Sequence, residues 1–175
     1  MTTMSSWQRG RQVRLQARFG WQESVGPSHV LAWAGTPGNM ADIVAELEAA
    51  DQTRPDLPRL MSKVEAWPGH FACILESANY VLAFVDRVRS YPIVYRTGPG
   101  APQVSNSPYD LDDSQGLVLE ETSCLELETT NYVSGARTLY RDVMQLQSGE
   151  AILFCKDGTP PVRCKYTSYL TEELA

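Results

Sequence analysis

Residues 69–95, GHFACILESANYVLAFVDRVRSYPIVY, constrain the fold more than any other stretch of this chain. Two apolar runs, 71–75 and 81–85, flank a polar tip, Glu76-Ser77-Ala78-Asn79. Short β-rich runs around turn residues predict a hairpin. The second run meets an acid–base pair, Asp86-Arg87, and Pro92 then opens another apolar run, Ile93-Val94-Tyr95. A charged pair between buried strands predicts a structural ion pair that fixes register and loop position. Shaping a ligand pocket is the functional alternative for Asp86 and Arg87.

The chain has 175 residues, enough for one domain with its own core. A net charge of −6 argues against nucleic acid as a partner, because phosphate binding needs a basic face. The basic cluster Arg9, Arg11, Arg14 and Arg18 reads as a solvated strand face. No run approaches the ~20 apolar residues that span a membrane, and the first residues lack the apolar core of a secretory signal. A cytoplasmic location is therefore expected. The four cysteines include no CxxC pair, and the two histidines have no matching carboxylate spacing, so no metal site is expected. Cys155 and Cys164 flank a turn, but a reducing compartment predicts free thiols.

Residues 13–19 alternate, with Val13, Leu15, Ala17 and Phe19 on one face, which predicts a strand. Residues 21–26 read as a turn and 30–34 as a strand. Asn39 is placed to cap a helix whose Met40, Ile43, Val44 and Leu47 share a face. A second helix is predicted within 57–66, with Pro58 in its first turn and Leu60, Met61 and Val64 inward. Beyond the hairpin, 93–95 and 103–105 are expected to pair across a Gly/Pro turn. Residues 117–130 show no usable periodicity and 131–140 read as a loop. Short strands follow at 143–146, 151–155 and 162–166, the last two joined by an Asp157-Gly158 turn. Many short strands with two early helices predict an α+β fold with antiparallel sheets. Residues 1–12 read as a flexible N-terminal segment, 13–168 as one domain and 169–175 as a tail or linker.

In its motifs the chain resembles the N-terminal glutaminase domain of the asparagine synthetase and β-lactam synthetase family, the class II glutamine amidotransferases. The family hairpin has the form G-x-F-A, a turn, then L-x-x-x-D-R-x-G-x-x-P-φ-x-Y. Gly69, Phe71, Ala72, Leu82, Asp86, Arg87, Pro92, Ile93 and Tyr95 match it, with Arg89 in the place of the family's glycine. A second block, Y-V-x-G-x-R-T-L-F and then L-x-x-G, is matched by Tyr132, Val133, Gly135, Arg137, Thr138, Leu139, Tyr140, Leu146 and Gly149. The resemblance implies a four-layer αββα Ntn-hydrolase sandwich of two antiparallel sheets. The chain stops where the family's synthetase domain would begin, and the SGGxDS nucleotide signature is absent, so no cofactor is expected.

Glutamine hydrolysis in this family needs an N-terminal thiol with its free α-amine, an oxyanion hole built on an Asn-Gly pair, and an arginine and an aspartate for the substrate's α-groups. Position 2 is Thr2, and the Asn-Gly pair maps to Ala34-Gly35. Losing one such donor typically costs about 2.7–4 kcal/mol of transition-state stabilisation. Asp56 is the expected counterpart of the substrate aspartate, so Gly35 and Asp56 mark a vestigial pocket. Arg137 is expected to tie a loop. Three readings follow. The first is a non-catalytic module of an ATP-dependent amide-forming enzyme, partnered by a synthetase domain or subunit or by a second copy of itself. The second is a glutamine amidohydrolase using Thr2 as nucleophile. The third is a free-standing binding protein for a small metabolite.

Overall fold

The computed structural model describes residues 12–16, 20–26, 29–49, 55–96, 102–111 and 116–167. Its centre is a six-stranded antiparallel sheet in the order β10-β9-β5-β4-β3-β2. These strands are β2 (Gln22–Val25), β3 (His29–Gly35), β4 (Phe71–Ser77), β5 (Tyr80–Val85), β9 (Glu150–Cys155) and β10 (Val162–Lys165). A smaller sheet of β1 (Val13–Arg14), β7 (Gln103–Ser105), β6 (Val94–Arg96) and β8 (Val143–Gln145) lies against it. The small sheet is not wholly antiparallel, because β1 pairs with β7 in parallel.

Strands β5 and β9 are buried along their whole length, and β4 along all but Ser77. Both faces of the large sheet are covered, so these segments read as continuous apolar runs rather than alternating ones. One face carries Leu31, Phe71, Cys73, Leu75, Leu82, Phe84 and Leu153 against α1 (Met40–Ala49) and α2 (Leu57–Val64). The other carries Ala72, Ile74, Val81, Ala83, Val85, Ile152 and Phe154 against Val13, Ile93, Tyr95, Val104 and Leu146 of the small-sheet side. Over the far side of the small sheet, Val94 and Val143 pack on Leu111 of the 3-10 helix Pro108–Leu111. The order is therefore helix, sheet, sheet, cover. This is the α+β sandwich of two sheets expected from the sequence.

Three local readings are corrected. Residues 22–25, read as a turn, form edge strand β2, paired antiparallel with β3. Every residue of β2 is exposed, so its extended form comes from the ladder and not from burial. Residues 121–130 form α3 (Glu121–Thr130), capped by Glu120 at one end and by left-handed Asn131 at the other. Glu76, assigned to the hairpin tip, is inside β4 and only 6% exposed. Its carboxylate accepts from Lys156 Nζ at 2.9 Å and from the Gln12 amide at 3.1 Å.

All four cysteines are free thiols, as expected. Cys155 pairs with Tyr80 and Cys164 with Ala151, so they do not face each other. Among the described residues no helix is long and apolar enough to cross a membrane.

The helix side of the large sheet is held by an aromatic cluster. Phe84 is fully buried, with Trp67 and Phe71 edge-on at centroid distances of 6.1 and 6.3 Å. Phe84→Ala should lower unfolding free energy by about 3–5 kcal/mol in denaturant titration; a loss under about 1 kcal/mol would contradict this packing.

Candidate functional site

The sheet end where β3, β4 and β5 converge gathers the residues that the motifs single out. Gly35 closes β3 and pairs with Phe71. Phe71 in turn exchanges backbone and side-chain bonds with Asp86: Asp86 N donates to Phe71 O at 3.0 Å, and Phe71 N donates to Asp86 Oδ2 at 2.8 Å. Gly35 has φ +76°, and a Cβ there would lie 2.0 Å from the His70 carbonyl oxygen and 2.7 Å from the Tyr91 ring. Only glycine permits this backbone shape and this approach. The turn is closed by Thr36 N donating to His70 O at 3.0 Å.

Asp86 is 1% exposed, and its carboxylate is held by main-chain amides. Besides Phe71 N, Oδ1 accepts from Val88 N at 2.8 Å, and Ser90 N approaches both oxygens at 3.3 and 3.4 Å. Arg87 is exposed and, among the described residues, makes no ion pair with Asp86. The expected Asp86–Arg87 pair is thus replaced by a carboxylate–amide cage. Successive residues leaving a strand point to opposite sides, so the carboxylate goes in and the guanidinium goes out. Each charge-assisted bond of this type is worth about 1.5–3 kcal/mol.

The same hub joins the two motif blocks. Gly149 N donates to Asp86 O at 2.8 Å, and Leu146 N donates to Ile93 O at 3.0 Å. Strands β6 and β8 pair Val94 with Gln145. Arg89, in the place of the family's glycine, has φ 57°. A left-handed backbone is thus present where the motif has glycine. Tyr166 donates its hydroxyl proton to Val85 O at 2.5 Å, and burial pushes that hydroxyl's pKa well up, so it stays a donor. His70 Nδ1 and Ser90 Oγ lie 2.6 Å apart at the exposed rim.

The remaining predicted site residues fall elsewhere. Thr2 lies outside the described residues. Asp56 is exposed and serves as the N-cap of α2, its Oδ1 accepting from Arg59 N at 3.2 Å. The motif acid in the same row as Gly35, on the other side of Phe71, is Asp86, the residue assigned to an ion pair. Its place inside the D-R-x-x-S-Y-P segment was a signal for this. Ala34 is fully buried and offers no side-chain donor. Cys73 is fully buried, and burial raises its thiol pKa, so it is no nucleophile. Arg137 ties a loop as expected, with Nη2 2.6 Å from Glu126 Oε2 of α3. No group of three or more His, Cys, Asp or Glu side chains among the described residues is placed to hold a metal ion.

These roles separate by mutation. Asp86→Ala strands three amides and should cost about 3 kcal/mol or more, whereas Arg87→Ala should stay within about 0.5 kcal/mol. Equal losses would restore the ion-pair reading. Asp56→Ala should cost about 1 kcal/mol, the ordinary worth of an N-cap, measured by the same denaturant titration.

No protein-family model matches the chain, and no curated protein matches it closely enough to count as a relative. Among solved structures it is similar to the glutamine phosphoribosylpyrophosphate amidotransferase from B. subtilis complexed with ADP and GMP, at 12% identity and a TM-score of 0.38. That match covers 86% of this chain and 32% of the other. It is also similar to a structure described as the allosteric regulatory enzyme of purine biosynthesis, at 11% identity and a TM-score of 0.39, covering 82% of this chain and 30% of that one. The chain thus spans about a third of the length of these proteins, and likenesses of this degree carry no argument about its activity.

Proposed function

We propose that this chain is a glutaminase-like module that keeps the frame of a class II glutamine amidotransferase domain without its hydrolytic chemistry. It serves an ATP-dependent amide-forming enzyme of the asparagine synthetase and β-lactam synthetase kind, as a structural or regulatory domain or subunit. The observation that carries this reading is the pair Ala34-Gly35. Gly35 keeps the left-handed turn against His70 O, while the neighbour that must supply an amide side chain is a buried alanine. An oxyanion hole works by donors already aimed at the developing charge. Position 34 cannot supply one. The contact of the two motif blocks through Asp86, Gly149, Ile93 and Leu146 supports the family frame independently of that loss.

The reading assigns Gly35, Asp86 and Gly149 to holding the frame. The synthetase partner supplies the nucleotide chemistry, and its ammonia or amine comes from a source other than glutamine hydrolysed here. Incubated with glutamine, the protein should release no ammonia or glutamate above the protein-free control, in wild type and in Thr2→Ala alike. Affinity purification from its native cells should recover an ATP-dependent ligase. Release abolished by Thr2→Ala would establish an N-terminal threonine hydrolase and overturn the non-catalytic reading. Recovery of the protein alone would overturn the assignment of a partner.

A further inference from the structure

We propose that the cleft between the loop after β5 and the segment around β8 binds a small carboxylate, with Arg89 as the residue that recognises the anion. The cleft has a volume of about 460 Å³, within the range of small-molecule sites. Neither Gly35 nor Asp56 lines it, so it is not the vestigial glutamine pocket. Val88, Tyr132 and Val133 supply an apolar wall, and Gln145 and Gln147 supply an amide wall on either side of Leu146, whose carbonyl Arg89 reaches. Val88 and Tyr132 remain 52% and 62% exposed, an uncovered apolar surface beside a cation.

Arg89 is the unusual member. A residue with a Cβ and a long side chain in the left-handed region is strained, and such strain concentrates at functional positions. The turn itself belongs to the frame, with Arg89 N donating to Asp86 O at 3.1 Å, but nothing in that frame requires an arginine side chain. Its Nη1 donates to Leu146 O at 3.5 Å, the edge of hydrogen-bonding range. Among the described residues the guanidinium has no carboxylate partner, and no residue lining the cleft is acidic. Most of its five N–H donors are therefore open to a ligand. The amide wall is already fixed: Gln145 Nε2 donates to Arg137 O at 2.9 Å and Gln147 Nε2 to Gly135 O at 2.7 Å. The guanidinium fork can hold a carboxylate through two parallel bonds, and one guanidinium balances one negative charge, whereas a doubly charged phosphate would keep half its charge uncompensated. The apolar wall calls for a short apolar or aromatic stem on that carboxylate.

The inference stands apart from the proposed function, since a scaffold, a regulatory module and a hydrolase could each carry this cleft. The test uses 4-fluorobenzoate as probe, followed by fluorine NMR on the full chain. Saturable binding in the millimolar range or below is expected, with displacement by benzoate and about tenfold weaker competition by benzamide, which lacks the charge. Arg89→Gln and Arg89→Gly should each weaken binding by about tenfold or more. Arg89→Gly separates binding from folding, because glycine adopts this backbone freely and the melting temperature should not fall. Absence of saturable binding up to about 10 mM would overturn the proposal. So would equal affinity in Arg89→Gly, or benzamide competing as well as benzoate.

Discussion

The carboxylate of Asp86 is the constraint on which the rest of the sandwich end depends. It is buried, and its charge is met by the amides of Phe71, Val88 and Ser90 rather than by a cation. An unpaired buried carboxylate would cost several kcal/mol, so this geometry is tolerated only while the amides stay in place. The backbone of the same residue binds Phe71 through its N–H and accepts from Gly149 and Arg89 through its carbonyl. One residue thereby aligns β4 with β5, sets the left-handed turn at Arg89, and ties the second motif block to the first.

From this hub the architecture separates frame from chemistry. Gly35, Phe71 and Asp86 sit together because strand pairing places them in one row, and Gly149 is drawn to the row by a single amide. None of these contacts requires a nucleophile. The frame does not depend on the side chain at Ala34, since the backbone bonds of β3 are made whichever residue stands there. Catalytic groups are side-chain properties, whereas the frame is mostly main-chain hydrogen bonding with left-handed backbone at Gly35, Arg89 and Gly149.

The segments that the sequence revealed well are those buried on both sides or periodic on one. Strands β4, β5 and β9 were legible because burial on both faces demands an unbroken apolar run. Helices α1 and α2 were legible from caps and spacing. Strand β2 was not, because Gln22, Glu23 and Ser24 are exposed and take their shape from β3 alone. Helix α3 was missed for a related reason: only Ser123 in it is buried, so it carries no apolar stripe, and its capping by Glu120 and Asn131 was the one available signal. Glu76 read as a tip residue because its partner Lys156 is 80 positions away.

The sequence by itself determined the fold class, the hairpin, the two early helices and the absence of a side-chain donor beside Gly35. It could do so because apolar periodicity, capping residues and the identity of position 34 are local properties. Only the tertiary structure decided what the charged residues do. It turned Asp86 inward to three amides and left Arg87 in solvent, made Asp56 a helix cap, and set Arg89 against an open cleft. Whether a charge is paired, caged or left available depends on which backbone groups converge on it. That convergence is made by strand pairing between segments far apart in the chain.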